Sequence, residues 1–409
     1  MKILYFHQHF STPKGATGVR SYAMAKQMVD EGHEVIMVCG SYGSGKTGLT
    51  KPFQNGKREG EVDGINIIEF DISYTNSDGF LKRTGLFLLF AFRSIFVAMT
   101  EKYDVLFATT TPLTAGIPGI FARWLRRKTF VFEVRDLWPE LPKEMGVIKN
   151  PIVLGAMSFL EWATYHSAHR IVGLSPGIVK GIVNRGVATN RVTMIPNGCD
   201  IDFFSKYPSR WRPEQVSETD FLAIFSGTHG IANGLDIVID TAKELQSRNR
   251  SDIKIILIGS GKLKQSLIDS AKAANLNNII FHDAVDRVKL IELLRGVDIG
   301  MQLLANVPAF YYGTSPNKFF DYIAAGLPVL NNYPGWLADM IEQNDCGYCV
   351  EPENPVAFAD ALEEAARNKN ELRLKARNAL TLAKTEFDRI DLAKRFSQFV
   401  RIGTVSNTG

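Results

Sequence analysis

Lys318 and Asp321 stand three residues apart in the run Ser315-Pro316-Asn317-Lys318-Phe319-Phe320-Asp321-Tyr322-Ile323-Ala324-Ala325-Gly326-Leu327-Pro328-Val329-Leu330. On a helix that spacing puts them on one face. Ser315 is a good N-cap and Pro316 suits the first helical position, so the run predicts a helix that begins here. Lys318 then falls in the first turn, where backbone donors and the helix dipole already favour an anion. The pair offers a cation for phosphate and a carboxylate able to accept two sugar hydroxyls. Gly326 and Pro328 end the helix, and Val329-Leu330 open an apolar strand. The same run also reads as an ordinary capped helix that feeds a strand.

Two glycine-containing loops could approach the same anion. Gly15-Ala16-Thr17-Gly18-Val19-Arg20 lies between the first strand and the first helix, and Arg20 adds a fork donor. Phe225-Ser226-Gly227-Thr228-His229-Gly230-Ile231-Ala232-Asn233-Gly234-Leu235 is its counterpart in the second half. A third cluster, Arg135-Asp136-Leu137-Trp138-Pro139-Glu140, follows an apolar strand. Asp136 there is read as a group that recognises or deprotonates an acceptor hydroxyl, and Glu133 and Glu140 as structural acids. His7 and His9 would share a face if the first strand continues that far, and His166 and His169 share a helix, but neither pair has a third ligand nearby in sequence. Metal independence is therefore expected.

These groups need elements to hold them. The chain has 409 residues, too many for one typical core, with 45% hydrophobic and 22% charged residues. Strands are predicted at Ile3–Phe6, Val35–Cys39, Val105–Thr109, Thr129–Val134 and Ile171–Leu174. Helical spacing covers Val19–Asp30. The second half repeats the plan, with strands at Leu222–Phe225, Ile253–Ile258, 279–282, 299–303 and 328–331 and a helix over Leu235–Ser247. The expected class is α/β: two Rossmann-like parallel-sheet domains facing a cleft, residues 1–200 and 201–389, with a linker between about Pro196 and Thr219. Ligands in such folds sit at the carboxyl ends of the strands, where both loops lie.

Charge is uneven. Residues 1–200 hold 23 Lys/Arg against 17 Asp/Glu, and residues 201–409 hold 24 against 26. That asymmetry fits a first half meeting an anionic surface or substrate, and it is too weak for nucleic acid. Four cysteines form no disulfide framework, and Cys346-Gly347-Tyr348-Cys349 reads as structural. The N-terminus reads as a strand rather than a signal peptide, which points to a cytoplasmic location.

Gly40-Ser41-Tyr42-Gly43-Ser44-Gly45-Lys46-Thr47 matches the pattern of a phosphate-cradling nucleotidase loop and follows a strand. Such a loop must open directly into a helix. Here Gly48, Pro52 and Asn55-Gly56 follow, which favours a surface loop over an ATPase.

The Ser315–Leu330 run resembles the donor-binding motif of the retaining GT-B glycosyltransferases of family 4, Pro-Ser/Asn-Lys-x-x-Glu/Asp-Tyr-x-Ala-x-Gly-x-Pro-Val. The resemblance implies that Ser315, Pro316, Asn317 and Lys318 face a diphosphate and that Asp321 binds the ribose. Together with the residue readings above, this makes Lys318 and Asp136 the expected catalytic pair and Gly18, Arg20, Gly227, Thr228, Asn233, Gly259 and Val285 the expected donor contacts. The family's Gly-Gly loop matches here with Thr17 in one position and Gly18 kept. Thr228 and Asn233 stand where the family has Arg and Lys, and Gly313 where it has a second acid. Gly-x-x-Gly-x-Ala-x-Gly-Leu-Asp and Arg-Asp-Leu-Trp-Pro-Glu are similar to a bacterial O-antigen and capsule branch that handles deoxyhexosamines. Ile195–Asp200 is similar to a junction motif, and a terminal helix around Leu392–Val400, within 390–409, is implied to pack on the first domain. The implied activity is transfer, with no cofactor, from a UDP-sugar co-substrate to a polyprenyl-diphosphate-linked saccharide. A non-catalytic nucleotide-sugar-binding protein of the same fold remains the alternative.

Leu86–Met99 is very apolar, interrupted by Arg93, and shorter than a bilayer span. It reads either as a core helix on a sheet or as an interfacial helix, aided by Lys82, Arg83, Arg123, Arg126, Arg127 and Lys128, at the cytoplasmic face of the inner membrane.

Overall fold

Runs of Val, Ile, Leu and Phe with no polar alternation make strands that are buried on both faces, as parallel sheets require. Ile253–Ile258 and Val105–Thr109 are of this kind. The computed structural model describes residues 1–15, 18–42, 45–73 and 78–405. It divides into two compact units.

The first unit holds Met1–Asn197, Gly313–Ser315 and the chain from Arg389 onward. Its strands are β1 (Lys2–Phe6), β2 (Glu34–Gly40), β3 (Lys57–Val62), β4 (Ile65–Phe70), β5 (Val105–Thr109), β6 (Thr129–Val134), β7 (Arg170–Gly173) and β8 (Val192–Met194). They form one sheet in the order β3-β4-β2-β1-β5-β6-β7-β8, parallel except for β3 against β4. Its first helices are α1 (Arg20–Asp30), α2 (Phe80–Thr100), α3 (Ile117–Leu125), α4 (Glu140–Glu144), α5 (Pro151–Ser167) and α6 (Pro176–Asn184). The β3–β4 hairpin is absent from the sequence expectation. Its turn, Asp63-Gly64, has both residues at positive φ (53° and 82°), as a two-residue hairpin demands.

The second unit holds Gly198–Tyr312 and Pro316–Asp388. Strands β9 (Phe221–Ser226), β10 (Ile253–Ile258), β11 (Ile279–His282), β12 (Ile299–Gln302), β13 (Val329–Asn331) and β14 (Gly347–Cys349) form a parallel sheet ordered β11-β10-β9-β12-β13-β14. Helices α7 (Ile201–Lys206), α8 (Asp236–Ser247), α9 (Lys264–Ala273), α10 (Arg287–Leu294), α11 (Pro308–Gly313), α12 (Asn317–Ala324), α13 (Trp336–Gln343), α14 (Pro355–Arg367) and α15 (Lys369–Glu386) fall in this stretch. The strand order reverses between β9 and β12, so the loop after β9 lies at a topological switch point, where ligands of open α/β sheets bind.

The last helix, α16 (Arg389–Val405), belongs to the first unit and packs on α1. Phe396 sets its ring edge-on to Phe107 at 4.9 Å, and Ser397 donates to Glu31. The contacts divide the chain at Asn197, three residues before the boundary read from sequence.

The apolar stretch is longer than its sequence suggests. Helix α2 runs 21 residues, and Leu81–Thr100 is by length and composition long and apolar enough to cross a membrane. Its inner stripe, Phe90, Ala91, Ser94, Val97 and Ala98, is buried in the first unit's core. Arg93 does not interrupt this packing, because it donates to the Gly56 carbonyl at 2.8 Å and covers the Phe70 ring.

Candidate functional site

In the second unit, backbone packs directly on backbone at the carboxyl ends of β9 and β10. The Gly227 N–H donates to the Ile258 carbonyl and the His229 N–H to the Ser260 carbonyl, both at 2.9 Å. A Cβ on Gly259 would stand 1.9 Å from the Gly227 oxygen, and one on Gly261 would stand 2.3 Å from the His229 oxygen. The two glycines are therefore needed to bring two loops into contact. Asn233 ties the first loop back, its Nδ2 donating to the Thr228 carbonyl at 2.7 Å.

Lys318 points into this loop. Its ammonium donates to Asn233 Oδ1 at 2.8 Å and lies 4.2 Å from the centre of the Phe225 ring. A Cβ on Gly227 would meet the Lys318 stem at 3.4 Å. Among the described residues no carboxylate pairs with this ammonium. Burial alone pushes its pKa down to about 7. The site holds a cation at a helix N-terminus, where the dipole also disfavours it. An anion bound there relieves both penalties.

The start of α12 corrects the capping expectation. The helix begins at Asn317, Pro316 occupies the N-cap with φ −74° and ψ 126°, and no side chain caps it. Ser315 is not the cap because its hydroxyl accepts the Asn197 N–H at 3.0 Å, while its carbonyl accepts Asn197 Nδ2 at 2.6 Å. The Ile195–Asp200 segment thus bonds to Ser315 through Asn197. Gly326 ends the helix at φ +70°, as expected.

Asp321 shares α12 with Lys318 but keeps different company. It is 8% exposed and accepts from Arg287 at 3.3 Å, and the same guanidinium reaches Asp200. Arg287 was not singled out from sequence, and its only signal there is its place at the start of a helix, directly after Val285-Asp286. Val285 is half-buried, in the loop between β11 and α10. Asn317 is exposed at the first turn of α12. Gly313, at the end of α11, has no atom within 4 Å of an added Cβ, so the position has room for a side chain.

His229 is the other residue that the sequence reading missed. It is fully buried, and neither ring nitrogen has a hydrogen-bond partner among the described residues. Burial first, then Lys264 and Lys318, push its pKa down to about 4. A neutral imidazole with one unused donor and one unused acceptor therefore borders the loop that Lys318 enters.

The first unit overturns the expectation for Arg20. Its side chain is 1% exposed. Nε and Nη2 donate to Glu133 Oε2 at 3.0 and 2.8 Å, and the remaining donors go to the Ile195 and Pro196 carbonyls. The guanidinium is therefore spent inside the protein, not turned toward a phosphate. A buried charge has to be paired, and Glu133 is the partner. Burial alone would raise the Glu133 carboxyl, but Arg20 and Arg135 outweigh it and hold the pKa at about 2. Glu133 is structural, as read. Gly18 is exposed beside the start of α1, and Thr17 lies outside the described residues.

Asp136 follows β6 and accepts from the Thr111 hydroxyl at 3.1 Å. Burial lifts its carboxyl above the ordinary value, while Thr111 and Arg135 pull it down. The nucleotidase-like loop leads to no helix over its described residues. The chain runs on as loop into β3, with Thr47 buried and donating to Glu69. Gly43 and Ser44 of that pattern lie outside the described residues. Cys346 and Cys349 are free thiols that burial raises to about 12, in keeping with a structural role.

Removing the Arg20 guanidinium should leave a buried carboxylate short of its partner. Arg20→Ala is expected to cost roughly 3–5 kcal/mol in equilibrium unfolding at pH 7. The deficit should shrink as pH falls through the ordinary carboxylate range, because the variant's Glu133 can then protonate. A cost near zero at pH 7 would contradict the buried pairing.

Comparison with known proteins agrees with this architecture. Residues 15–198 match the glycosyl transferase 4-like domain, and residues 209–381 match the glycosyl transferases group 1 family. The O-antigen chain mannosyltransferase C of Escherichia coli is 25% identical over 49% of this chain and 51% of its own. The D-rhamnosyltransferase WbpZ of Pseudomonas aeruginosa is 25% identical over 57% of this chain and 59% of its own. The chain thus spans between about half and three-fifths of the curated relatives it matches. Sucrose-phosphate synthase from Thermosynechococcus elongatus shares the fold with a TM-score of 0.75 at 14% identity, over 99% of this chain and 100% of its own. Anabaena HepE in complex with UDP and glucose does so with a TM-score of 0.68 at 17% identity, over 98% and 100%. With both domain matches in sequence and the two parallel-sheet units in structure, the chain belongs to the GT-B glycosyltransferases of group 1 that carry a glycosyl transferase 4-like domain.

Proposed function

We propose that the protein is a retaining glycosyltransferase that moves a sugar from a UDP-sugar to a lipid-linked saccharide during O-antigen or capsule assembly. The observation that carries this reading is Lys318, a partly buried ammonium without a carboxylate partner among the described residues, at the start of α12 and against a glycine loop at the sheet's switch point. A diphosphate is an anion of the right kind for that place. The Thr228 amide, Asn233 and the first turn from Pro316 and Asn317 line the phosphates, and Gly227, whose own N–H is bonded to Ile258, gives them room. Asp321, steadied by Arg287, accepts from the ribose. Gly259 and Val285 lie beside the base.

In the proposed step the acceptor hydroxyl attacks the anomeric carbon from the face that the diphosphate leaves. The carbon–oxygen bond to phosphate breaks, and the departing phosphate oxygen takes the hydroxyl proton. Lys318 stabilises the negative charge that builds on that phosphate, which makes a metal unnecessary. Asp136 orients the acceptor hydroxyl. The curated relatives are named for transfer of mannose and rhamnose, and a deoxyhexose or an N-acetylated deoxyhexosamine is the sugar proposed here. A lipid-linked acceptor places the enzyme at the cytoplasmic face of a membrane.

The test supplies a panel of labelled nucleotide sugars with a polyprenyl-diphosphate saccharide. Wild type should transfer from at least one donor with EDTA present. Lys318→Met should fold normally and lose about a hundredfold or more in turnover. No transfer from any donor, or an unimpaired Lys318→Met, would overturn the reading.

A pH dependence follows from the same group. Lys318 must be protonated to hold a diphosphate, and its pKa of about 7 lies below the ordinary 10.5. Donor binding should therefore take up protons near pH 8. Affinity should weaken by up to about tenfold per pH unit as pH rises from 7 toward 9. Calorimetry in buffers of different ionisation enthalpy measures both effects. An affinity that stays flat across that range in wild type would contradict the assignment.

A further inference from the structure

Helices α2, α3 and α5 lie side by side in the first unit, with α3 in contact with both others. Trp124 Nε1 on α3 donates to Ser167 Oγ at the end of α5 at 2.9 Å, and Arg126 just after α3 donates to the Ala98 and Glu101 carbonyls at the end of α2. Their outward stripes are apolar. Leu81, Leu88, Phe92 and Phe96 are exposed on α2, Phe121, Trp124 and Leu125 on α3, and Ile152, Phe159 and Trp162 on α5. The exposure is large: 72% for Phe92, 64% for Trp124 and 68% for Phe159. An apolar face of this kind on a folded protein marks an interaction surface.

Charge decides what the surface meets. The three helices carry a single acidic residue, Glu161, which is 2% exposed and paired with Arg185. Cations stand at the helix ends: Lys82, paired with Asp78, at the start of α2, Arg127 and Lys128 after α3, Lys149 before α5. Beside α5, which supplies Leu154, Gly155 and Ser158 to its wall, a cavity of about 610 Å³ adds Lys143, Lys180 and Arg185 against one acid, Glu140. An apolar centre with aromatic side chains and no outward acid on the three helices, with a rim where cations outnumber the acids Asp78, Glu140 and Glu144, is what an anionic bilayer interface accepts.

We propose that α2, α3 and α5 together form a docking surface for an anionic lipid bilayer, lying in the headgroup layer without spanning it. The inner stripe of α2 stays in the core, so the outer stripes alone enter lipid. This extends the surface beyond Leu86–Met99 to α5, of which the sequence reading gave only a helix at His166. The proposal rests on the lipid-linked acceptor only for its purpose, since docking itself needs neither donor nor acceptor.

The experiment mixes the purified full chain with phosphatidylglycerol-containing or pure phosphatidylcholine vesicles, with no donor present, and follows sedimentation and tryptophan emission. Wild type should sediment with the anionic vesicles, less so at high salt, with a blue shift from Trp124 and Trp162. The triple variant Phe92→Ser, Phe159→Ser, Trp162→Ser should bind about tenfold more weakly or worse, with unchanged circular dichroism. Leu374→Ser, at an exposed leucine of the second unit, should bind as wild type. Wild type that stays in the supernatant at every lipid composition would overturn the proposal. So would a wild-type dimer that the triple variant makes monomeric, because a second copy would then cover the face. A protein that binds vesicles but transfers no sugar leaves the docking surface standing and counts against the transferase reading alone.

Discussion

A charge taken out of water must find an opposite charge or lose its own, and the two units of this protein meet that constraint in opposite ways. In the first, Arg20 is buried and fully answered: Glu133 and two carbonyls take its donors, and the carboxylate is held ionised at a pKa of about 2. In the second, Lys318 is half-buried against an aromatic ring and an amide oxygen, with no carboxylate among the described residues, and its pKa falls to about 7. The first arrangement is complete without a ligand. The second is not, and it sits at the sheet's switch point. The contrast separates a cation spent on structure from the one proposed here to bind the ligand more sharply than conformity to a motif does.

The backbone around Lys318 explains why the incompleteness can persist. Gly259 and Gly261 let one strand-end loop press onto another, with no room for a side chain at either position. That contact fixes Gly227 and the amides that follow it, and Asn233 locks the far side of the loop. A preorganised cradle of this kind does not collapse onto its own cation. Arg287 performs the parallel task for Asp321, holding one acid of the helix against another from Asp200.

Much of the fold was legible because parallel strands write themselves as short unbroken apolar runs. Thr129–Val134, Val105–Thr109 and Ile253–Ile258 have the bounds that the sequence implied. The β3–β4 hairpin was readable in principle from Asp63-Gly64, but its strands, Lys-Arg-Glu-Gly-Glu-Val and Ile-Asn-Ile-Ile-Glu-Phe, carry too many charges to stand out. What sequence spacing could not show were the distant partners. Ser315 lost its capping role to Asn197, 118 residues away, and Arg20 lost its phosphate to Glu133, 113 residues away. His229 looked like one more small-loop residue until its burial and unpartnered nitrogens were visible.

The central claim is that the nucleotide diphosphate occupies the cradle between the β9 loop and the start of α12. Amide hydrogen exchange with and without saturating UDP-glucose tests it most directly. The account predicts slower exchange confined to the Gly227–Gly234 amides and the first turn of α12. Unchanged exchange there, or protection centred instead on the described residues of the Gly40–Thr47 loop, would contradict it.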